Sequence, residues 1–178
     1  MEAPPVMAEL DRIARLAQQI DSRTKHEQYM LLTETEVLGL RRQGASELHA
    51  ICAEFVASVN RLLSPTVLEL TPPEYSAEIF HETGVNLFQI NAQGRIIQIT
   101  FQATREIFST EKFRIPHILE GEVRAYNQEM LEHNQIRSHA LFFCLEESKN
   151  TWRHFEWVHG RTGVFDRDQL VSLLEQLV

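Results

Sequence analysis

The sequence predicts an α+β fold in which a helical N-terminal third is followed by a mostly antiparallel sheet with an inserted helix and a C-terminal helix. Before Pro65, apolar residues recur at the three- and four-residue spacing of amphipathic helices. After Pro65 the period changes to two, and β-branched and aromatic residues become dense. With 178 residues, the chain has the size of one ordinary domain. We therefore expect a single domain over 1–178, with residues 1–43 as a candidate helical extension.

Three helices are predicted before Pro65. The first spans about 5–21, and the polar stretch 21–25 predicts a break. The second spans about 26–42 and is expected to end at Gly44. The third is the clearest, because it has a continuous apolar stripe that stops before the proline. That stripe comprises Leu48, Ile51, Cys52, Phe55, Val59, Leu62 and Leu63.

Period-two segments predict the strands of the sheet. The first four candidate strands lie at 66–71, 76–82, 85–91 and 95–103. Gly94 precedes the last of these, where a short hairpin needs a positive φ angle. In this last strand apolar residues alternate with glutamine and threonine, which predicts one buried face and one wet face.

The following segment is predicted as a weak strand, a helix and two strands. The weak strand at 112–116 precedes a helix at 120–135, and the alternative is a strand that extends to Tyr126. The continuously apolar segment 140–145 predicts a central strand, and 152–159 is its expected partner.

The sheet is expected to end at Gly160 and Gly163, before a closing helix. Asp166 is predicted to be the N-cap of this helix, with Gln169 three residues later. Its apolar stripe comprises Leu170, Leu173, Leu174 and Leu177.

Composition argues against several classes of protein. The net charge of −8 disfavours attraction to a phosphate backbone, so we expect no nucleic-acid partner. The apolar runs are well short of the roughly 20 residues that a membrane-spanning helix needs. The N terminus lacks the basic and continuously apolar regions of a signal peptide, which favours a cytoplasmic location. Cys52 and Cys144 lie in apolar patterns typical of buried, reduced thiols.

No catalytic or cofactor motif occurs in the sequence. The seven glycines are scattered and match no phosphate-binding loop, and no Gly-x-Ser-x-Gly nucleophile motif is present. His154 and His159 lie five residues apart on one predicted strand, so they face opposite sides of the sheet. Glu129 and His133 would share a helix face, but this spacing is typical of a surface pair. We therefore predict no catalytic residue, no cofactor and no metal site, and the sequence favours a non-enzymatic protein over an enzyme.

The predicted hairpin near residue 155 is the most distinctive candidate surface. Its alternating residues mix aromatic rings with ionisable groups, as protein interfaces and ligand pockets do. The predicted ligand- or partner-binding residues are Arg153, Phe155, Trp157, His159 and Arg161.

From the third helix onward, the predicted order is helix, several antiparallel strands, helix, two strands and helix. This order resembles that of the small, acidic, dimeric secretion chaperones, although no motif is shared and the helices in 1–43 have no counterpart. The resemblance implies a protein that binds other proteins and has no catalytic site. Our first hypothesis is a non-enzymatic, homodimeric protein-binding module that uses the hairpin and the N-terminal helices as contact surfaces.

Two alternatives remain open at this stage. One is a small-ligand-binding domain in which the sheet holds an apolar ligand against a helix. Its pocket would be lined by Phe101, Phe143, Phe155 and Trp157. The other is an enzyme with an acid–base or metal site. Its site would lie near His139, Glu156 and His159.

Overall fold

The computed structural model describes residues 5–65 and 67–178, and these form helices followed by one antiparallel sheet. The helices are α1 (Pro5–Met30), α2 (Glu34–Asn60), α3 (Gln128–Glu132) and α4 (Arg167–Glu175). The strands are β1 (Glu69–Thr71), β2 (Asn86–Ala92), β3 (Arg95–Phe108), β4 (His117–Tyr126), β5 (Arg137–Cys144), β6 (Thr151–Glu156) and β7 (Arg161–Val164). Each strand pairs with its sequence neighbours, in the order β1 to β7. The predicted α+β class is confirmed.

The chain divides into two compact units. The first ends at Glu36 and contains α1, and the second spans Val37–Val178 and contains the sheet. No helix among the described residues is both long enough and apolar enough to span a membrane.

The predicted helix break at 21–25 is wrong, because α1 continues to Met30. The chain breaks instead at residues 31–33, where a capping box begins α2. Thr33 Oγ1 accepts a hydrogen bond from the Glu36 backbone N–H (3.2 Å), and Glu36 Oε2 accepts one from the Thr33 backbone N–H (2.7 Å). The chain therefore has two long helices where three were predicted.

Gly44 does not end a helix, and it lies inside α2 in close contact with the sheet. A Cβ atom at this position would lie 2.6 Å from Phe143 Cδ1, well inside van der Waals contact. The indole Nε1–H of Trp152 donates a buried hydrogen bond of 2.7 Å to the Gly44 carbonyl oxygen. The glycine therefore brings the helix backbone within hydrogen-bonding distance of the sheet's side chains.

Both α2 and α4 cover the same face of the sheet. Phe143 and Trp152 pair across β5 and β6, and both contact α2. Arg95 lies on this face in β3, and its Nε donates a 3.1 Å hydrogen bond to the Leu177 carbonyl oxygen at the end of α4. Apolar residues on this covered face are almost fully buried: Phe88, Ile90, Ile97, Ile99, Phe101, Leu119, Val123, Leu141, Phe143 and Trp152. The covered face is the core of the second unit.

Arg41 of α2 forms a second, polar connection to the sheet. Its buried guanidinium donates to the carbonyl oxygens of Ile118 (3.1 Å) and Thr104, and it pairs with Glu82 at 2.5 Å. The two carbonyl groups lie where the register between β3 and β4 shifts. Arg41 therefore satisfies backbone acceptors that the sheet ladder leaves free.

The helix predicted at 120–135 is wrong over most of its length. Strand β4 occupies His117–Tyr126, and α3 has only five residues. The charged residues of this segment, Glu120, Glu122 and Arg124, fall on alternate positions and face away from α2 and α4. The alternative prediction, a strand that extends to Tyr126, is correct for the residue at which β4 ends.

Other strand boundaries also differ from the predictions. The segment 76–82 contains a short 3₁₀ helix (Ala77–Ile79), and 112–116 is not a strand. Strand β1 is confined to the end of the predicted 66–71, whose first position lies outside the described residues. Strand β3 extends beyond the predicted 95–103.

The sheet does not end at Gly160 and Gly163, because Gly163 lies within β7. A Cβ atom on Gly163 would lie 2.8 Å from His154 Nε2, so the missing side chain makes room for the imidazole. The closing helix is confirmed, with Asp166 as its N-cap accepting from the Gln169 backbone N–H at 3.2 Å.

The packing at Gly44 can be tested against a second glycine in the same helix. We expect Gly44→Ala to lower the free energy of unfolding by about 2 kcal/mol, because the buried Phe143 ring must move. At Gly39 a Cβ atom would meet nothing within 4 Å, so Gly39→Ala should raise it by roughly 0.5–1 kcal/mol through helix propensity. Urea denaturation followed by tryptophan fluorescence measures both. Equal effects at the two positions would contradict the close packing.

Candidate functional site on the open face of the sheet

The face of the sheet opposite α2 and α4 carries polar side chains at its centre. We call it the open face, and the strand register assigns to it Gln98, Thr100, Gln102, Glu120, Glu122, Arg124, Ser138, Ala140, Phe142, Arg153 and Phe155. Most of these side chains are partly or fully accessible, whereas the covered face is almost fully buried. The open face is therefore the larger accessible surface of the sheet.

A groove of about 520 Å³ crosses strands β3, β4 and β5 on the open face. Its volume falls within the range of roughly 300–1,000 Å³ found for ligand sites. The groove is lined by Val85, Thr100, Phe101, Gln102, Glu120, Gly121, Glu122, Ser138, Ala140, Phe142 and Trp157.

Two carboxylates from β4 line this groove. Glu122 accepts a 3.1 Å hydrogen bond from Ser138 Oγ and lies 3.6 Å from Arg124 Nε. Glu120 forms no ion pair with Lys or Arg in the described part of the chain. Glu120 interacts electrostatically with His117, whose pKa is lowered by burial, so that this imidazole stays neutral near pH 7. The groove therefore has an excess of negative charge.

The rim of the groove is apolar and exposed. Val85 is 60% exposed and Trp157 is 52% exposed. Leu87, which pairs with Thr100 and so lies on the open face, is also exposed. Large apolar side chains grouped around polar residues mark interaction surfaces more often than isolated ones do.

Trp157 is held in place by a small aromatic cluster. The Phe155 ring meets it edge-on at a centroid distance of 4.8 Å, and Phe155 in turn packs on the stacked pair Phe113 and Phe142. Lys112 Nζ lies 5.8 Å from the Trp157 ring centroid, at the outer limit of a cation–π contact. The indole is therefore exposed on one side and supported on the other.

The five residues predicted as contacts have different surroundings. Trp157 lines the groove, and the buried Phe155 supports it from below. Arg153 forms a two-pronged ion pair with Glu146, at 3.2 and 2.8 Å. The hydrogen bonds to Glu146 raise the pKa of Arg153. This guanidinium is already occupied by a partner within the chain.

His159 and Arg161 lie on the turn after β6 and at the start of β7, and neither is among the residues that line the groove. His159 Nδ1 is 2.8 Å from Glu156 Oε1. This hydrogen bond lowers the pKa of the Glu156 carboxyl. Both members of the pair are accessible to water, so the pair is a surface contact worth little to stability.

The four rings proposed to line an apolar ligand pocket lie on different sides of the sheet. Phe101 and Phe143 belong to the covered face and are packed against other core side chains. Phe155 belongs to the open face, and Trp157 follows it in the turn. They do not enclose one cavity between sheet and helix.

Among the described residues, one pair of histidine rings comes close together. His139 and His154 have ring centroids 6.1 Å apart on the covered face. His133 Nδ1 contacts the backbone oxygen of Glu129 rather than its carboxylate. Within residues 5–65 and 67–178, no group of three His, Cys, Asp or Glu side chains is placed to hold a metal ion.

The two cysteine thiols are buried and free. Burial raises the pKa of both Cys52 and Cys144 to about 12, so neither is a thiolate near neutral pH. They behave as core residues.

Sequence reasoning missed Glu120 and Glu122 as site residues because their segment was assigned to a helix. The signal was present, since Leu119, Val123 and Ala125 alternate with the charged positions. Their convergence with Trp157 required the strand order, which no local pattern supplies.

The half-buried His154 provides a test by pH. Burial, and secondarily the nearby His139, lowers the pKa of His154 from its ordinary value of 6.5. Below about pH 6.5 the unfolded chain therefore binds a proton that the folded chain does not, and stability falls as the pH falls. We expect His154→Gln to lose less unfolding free energy than the wild type between about pH 7.5 and about pH 5.5. Equal losses in urea denaturation at the two pH values would contradict this assignment.

No protein-family model matches the chain, and neither a curated protein nor a solved structure matches it.

Proposed function

We propose that this chain is a non-enzymatic protein-binding module whose partner docks in the groove on the open face. The observation that carries the proposal is the groove itself, in which an apolar exposed rim surrounds a carboxylate without a cationic partner in the described chain. Neither α2 nor α4 covers this face, because both pack on the other side of the sheet.

The groove fits a protein segment with one Lys or Arg side chain flanked by apolar residues. The cation would pair with Glu120 and Glu122, which brings opposite charges together in a partly desolvated site. The flanking apolar side chains would pack on Val85, Ala140 and Trp157. A tryptophan that is exposed on one side and packed on the other is often a hot-spot residue, which contributes much of the binding free energy of a protein interface.

The shape of the groove favours a peptide segment over a small molecule. Small-molecule sites bury most of the ligand surface, whereas this groove has an exposed rim and spans three strands. The free thiols of Cys52 and Cys144 support a cytoplasmic location as part of the proposal.

Selection from a random peptide library displayed on phage, with the full chain as immobilised bait, tests the proposal. We expect enriched peptides to share a basic residue next to aromatic or aliphatic residues. A synthetic peptide of the enriched sequence should bind Trp157→Ala and Glu120→Gln each about tenfold more weakly in fluorescence polarisation. Added salt should weaken binding to the wild type more than binding to Glu120→Gln.

Glu175→Gln is the matched control, because it removes one exposed carboxylate from α4, on the other side of the sheet. It should bind the peptide as the wild type does. Failure to enrich any sequence, or binding that neither Trp157→Ala nor Glu120→Gln weakens, would overturn the proposal.

A further inference from the structure

Helix α1 carries an exposed apolar stripe along one side. Leu10, Ile13 and Ile20 are 60%, 57% and 58% exposed, and Ala17 lies between the isoleucines on the same side. The intervals between these four residues are three, four and three, which is the spacing of the buried seam in a pair of coiled helices. Leu16, also exposed, flanks the seam.

Local interactions supply only a small part of what α1 needs to be stable. The helix has 26 residues, roughly 39 Å at 1.5 Å per residue. Its internal side-chain contacts include the Asp21–Lys25 ion pair (2.9 Å) and the Thr24 hydroxyl, which donates to the Ile20 carbonyl oxygen. Such pairs contribute a few tenths of a kcal/mol each, and most helices gain their stability by burying an apolar side.

We infer that α1 pairs in antiparallel orientation with α1 of a second copy of this chain. In the register that pairs seam residues, Leu10 lies opposite the partner's Ile20, and Ile13 lies opposite the partner's Ala17. Two-fold symmetry repeats both contacts, so all four seam residues are covered. The small Ala17 side chain leaves space for the isoleucine across the seam.

The charges beside the seam select this orientation. In the antiparallel register, Glu9 lies beside the partner's Arg23, and symmetry gives two such ion pairs. Glu9 and Arg23 are both exposed in the single chain, and neither has another ion-pair partner within the described residues. A parallel pair would instead place Glu27 at a seam position facing the partner's Glu27, which is repulsive.

This inference does not depend on the groove. The seam lies on α1 and the proposed peptide site lies on β3 to β5, so peptide binding and self-association are measured separately. A variant that loses one property is expected to keep the other.

Sedimentation of the full chain tests the pairing. We expect the wild type to be a dimer and Ile13→Asp to be a monomer, because the variant places two charges in the seam. Gln19→Asp adds the same charge on the other side of α1 and should remain a dimer. A monomeric wild type, or an Ile13→Asp variant that stays dimeric, would overturn the inference. A monomeric wild type would be explained by α1 packing on its own chain. In that case Ile13→Asp would lower the unfolding midpoint of the monomer.

Charge reversal tests the register. Arg23→Glu should raise the dimer dissociation constant about tenfold, because two attractive pairs become repulsive. Adding Glu9→Arg to the same chain should restore the wild-type constant. If the double variant is no tighter than the single variant, the two residues are not neighbours and the antiparallel register is wrong.

Disulfide formation tests the orientation directly. The native thiols are buried, so introduced cysteines are the reactive ones. An oxidised mixture of Ile13→Cys and Ala17→Cys chains should form a heterodimeric disulfide, and Ala17→Cys alone should form none. A disulfide in Ala17→Cys alone, with none between the two variants, would show a parallel pair and overturn the inference.

Discussion

The close contact between α2 and the sheet at Gly44 is the constraint on which the second unit depends. The absent side chain lets the Phe143 ring meet the helix backbone and lets the Trp152 indole donate a hydrogen bond to a helical carbonyl group. The two rings belong to neighbouring strands of the sheet, so the position of the helix is fixed relative to β5 and β6. Arg41, one turn earlier, connects the same helix to the irregular part of β3 and β4. One helix thus contacts four strands, through the packing and hydrogen bond at Gly44 and through the hydrogen bonds of Arg41.

This arrangement explains why the two faces of the sheet differ so strongly. Most side chains that α2 packs against the sheet need apolar partners, so apolar residues predominate on the covered face, beside the polar residues Asn86, Arg95, His139 and His154. The opposite face is free of that requirement and carries glutamine, threonine and glutamate. At one end of this side aromatic residues form a cluster, in which Phe113 packs on Phe142 and Phe155. The groove lies where the aromatic and acidic regions meet.

The sequence predicted the class of fold and the closing helix because these depend on local signals. The N-cap at Asp166 and the change of period after Pro65 are readable from neighbouring residues. The errors at Gly44 and Gly163 share one cause, since each glycine was interpreted as a breaker but makes room for a distant side chain. The capping box at Thr33 and Glu36 was readable, but the polar stretch at 21–25 was preferred as the break. The candidate site depends on the register of β3, β4 and β5. Because β4 was predicted as a helix, its acidic residues Glu120 and Glu122 were not predicted as site residues.

Because the strands pair in strictly sequential order, the chain's contacts fall into two classes that differ in the number of residues between the contacting positions. Each hairpin closes a short loop, such as the two residues between β2 and β3, whereas the hydrogen bond from Trp152 to Gly44 spans 108 residues. By the logarithmic law of loop closure, the long contact costs about 3 kcal/mol more chain entropy when formed from an open coil. That difference shrinks once the intervening hairpins exist, because they shorten the effective loop. Assembly therefore favours hairpins first and α2 last, so the helix that fixes the core is the element whose docking relies most on the rest.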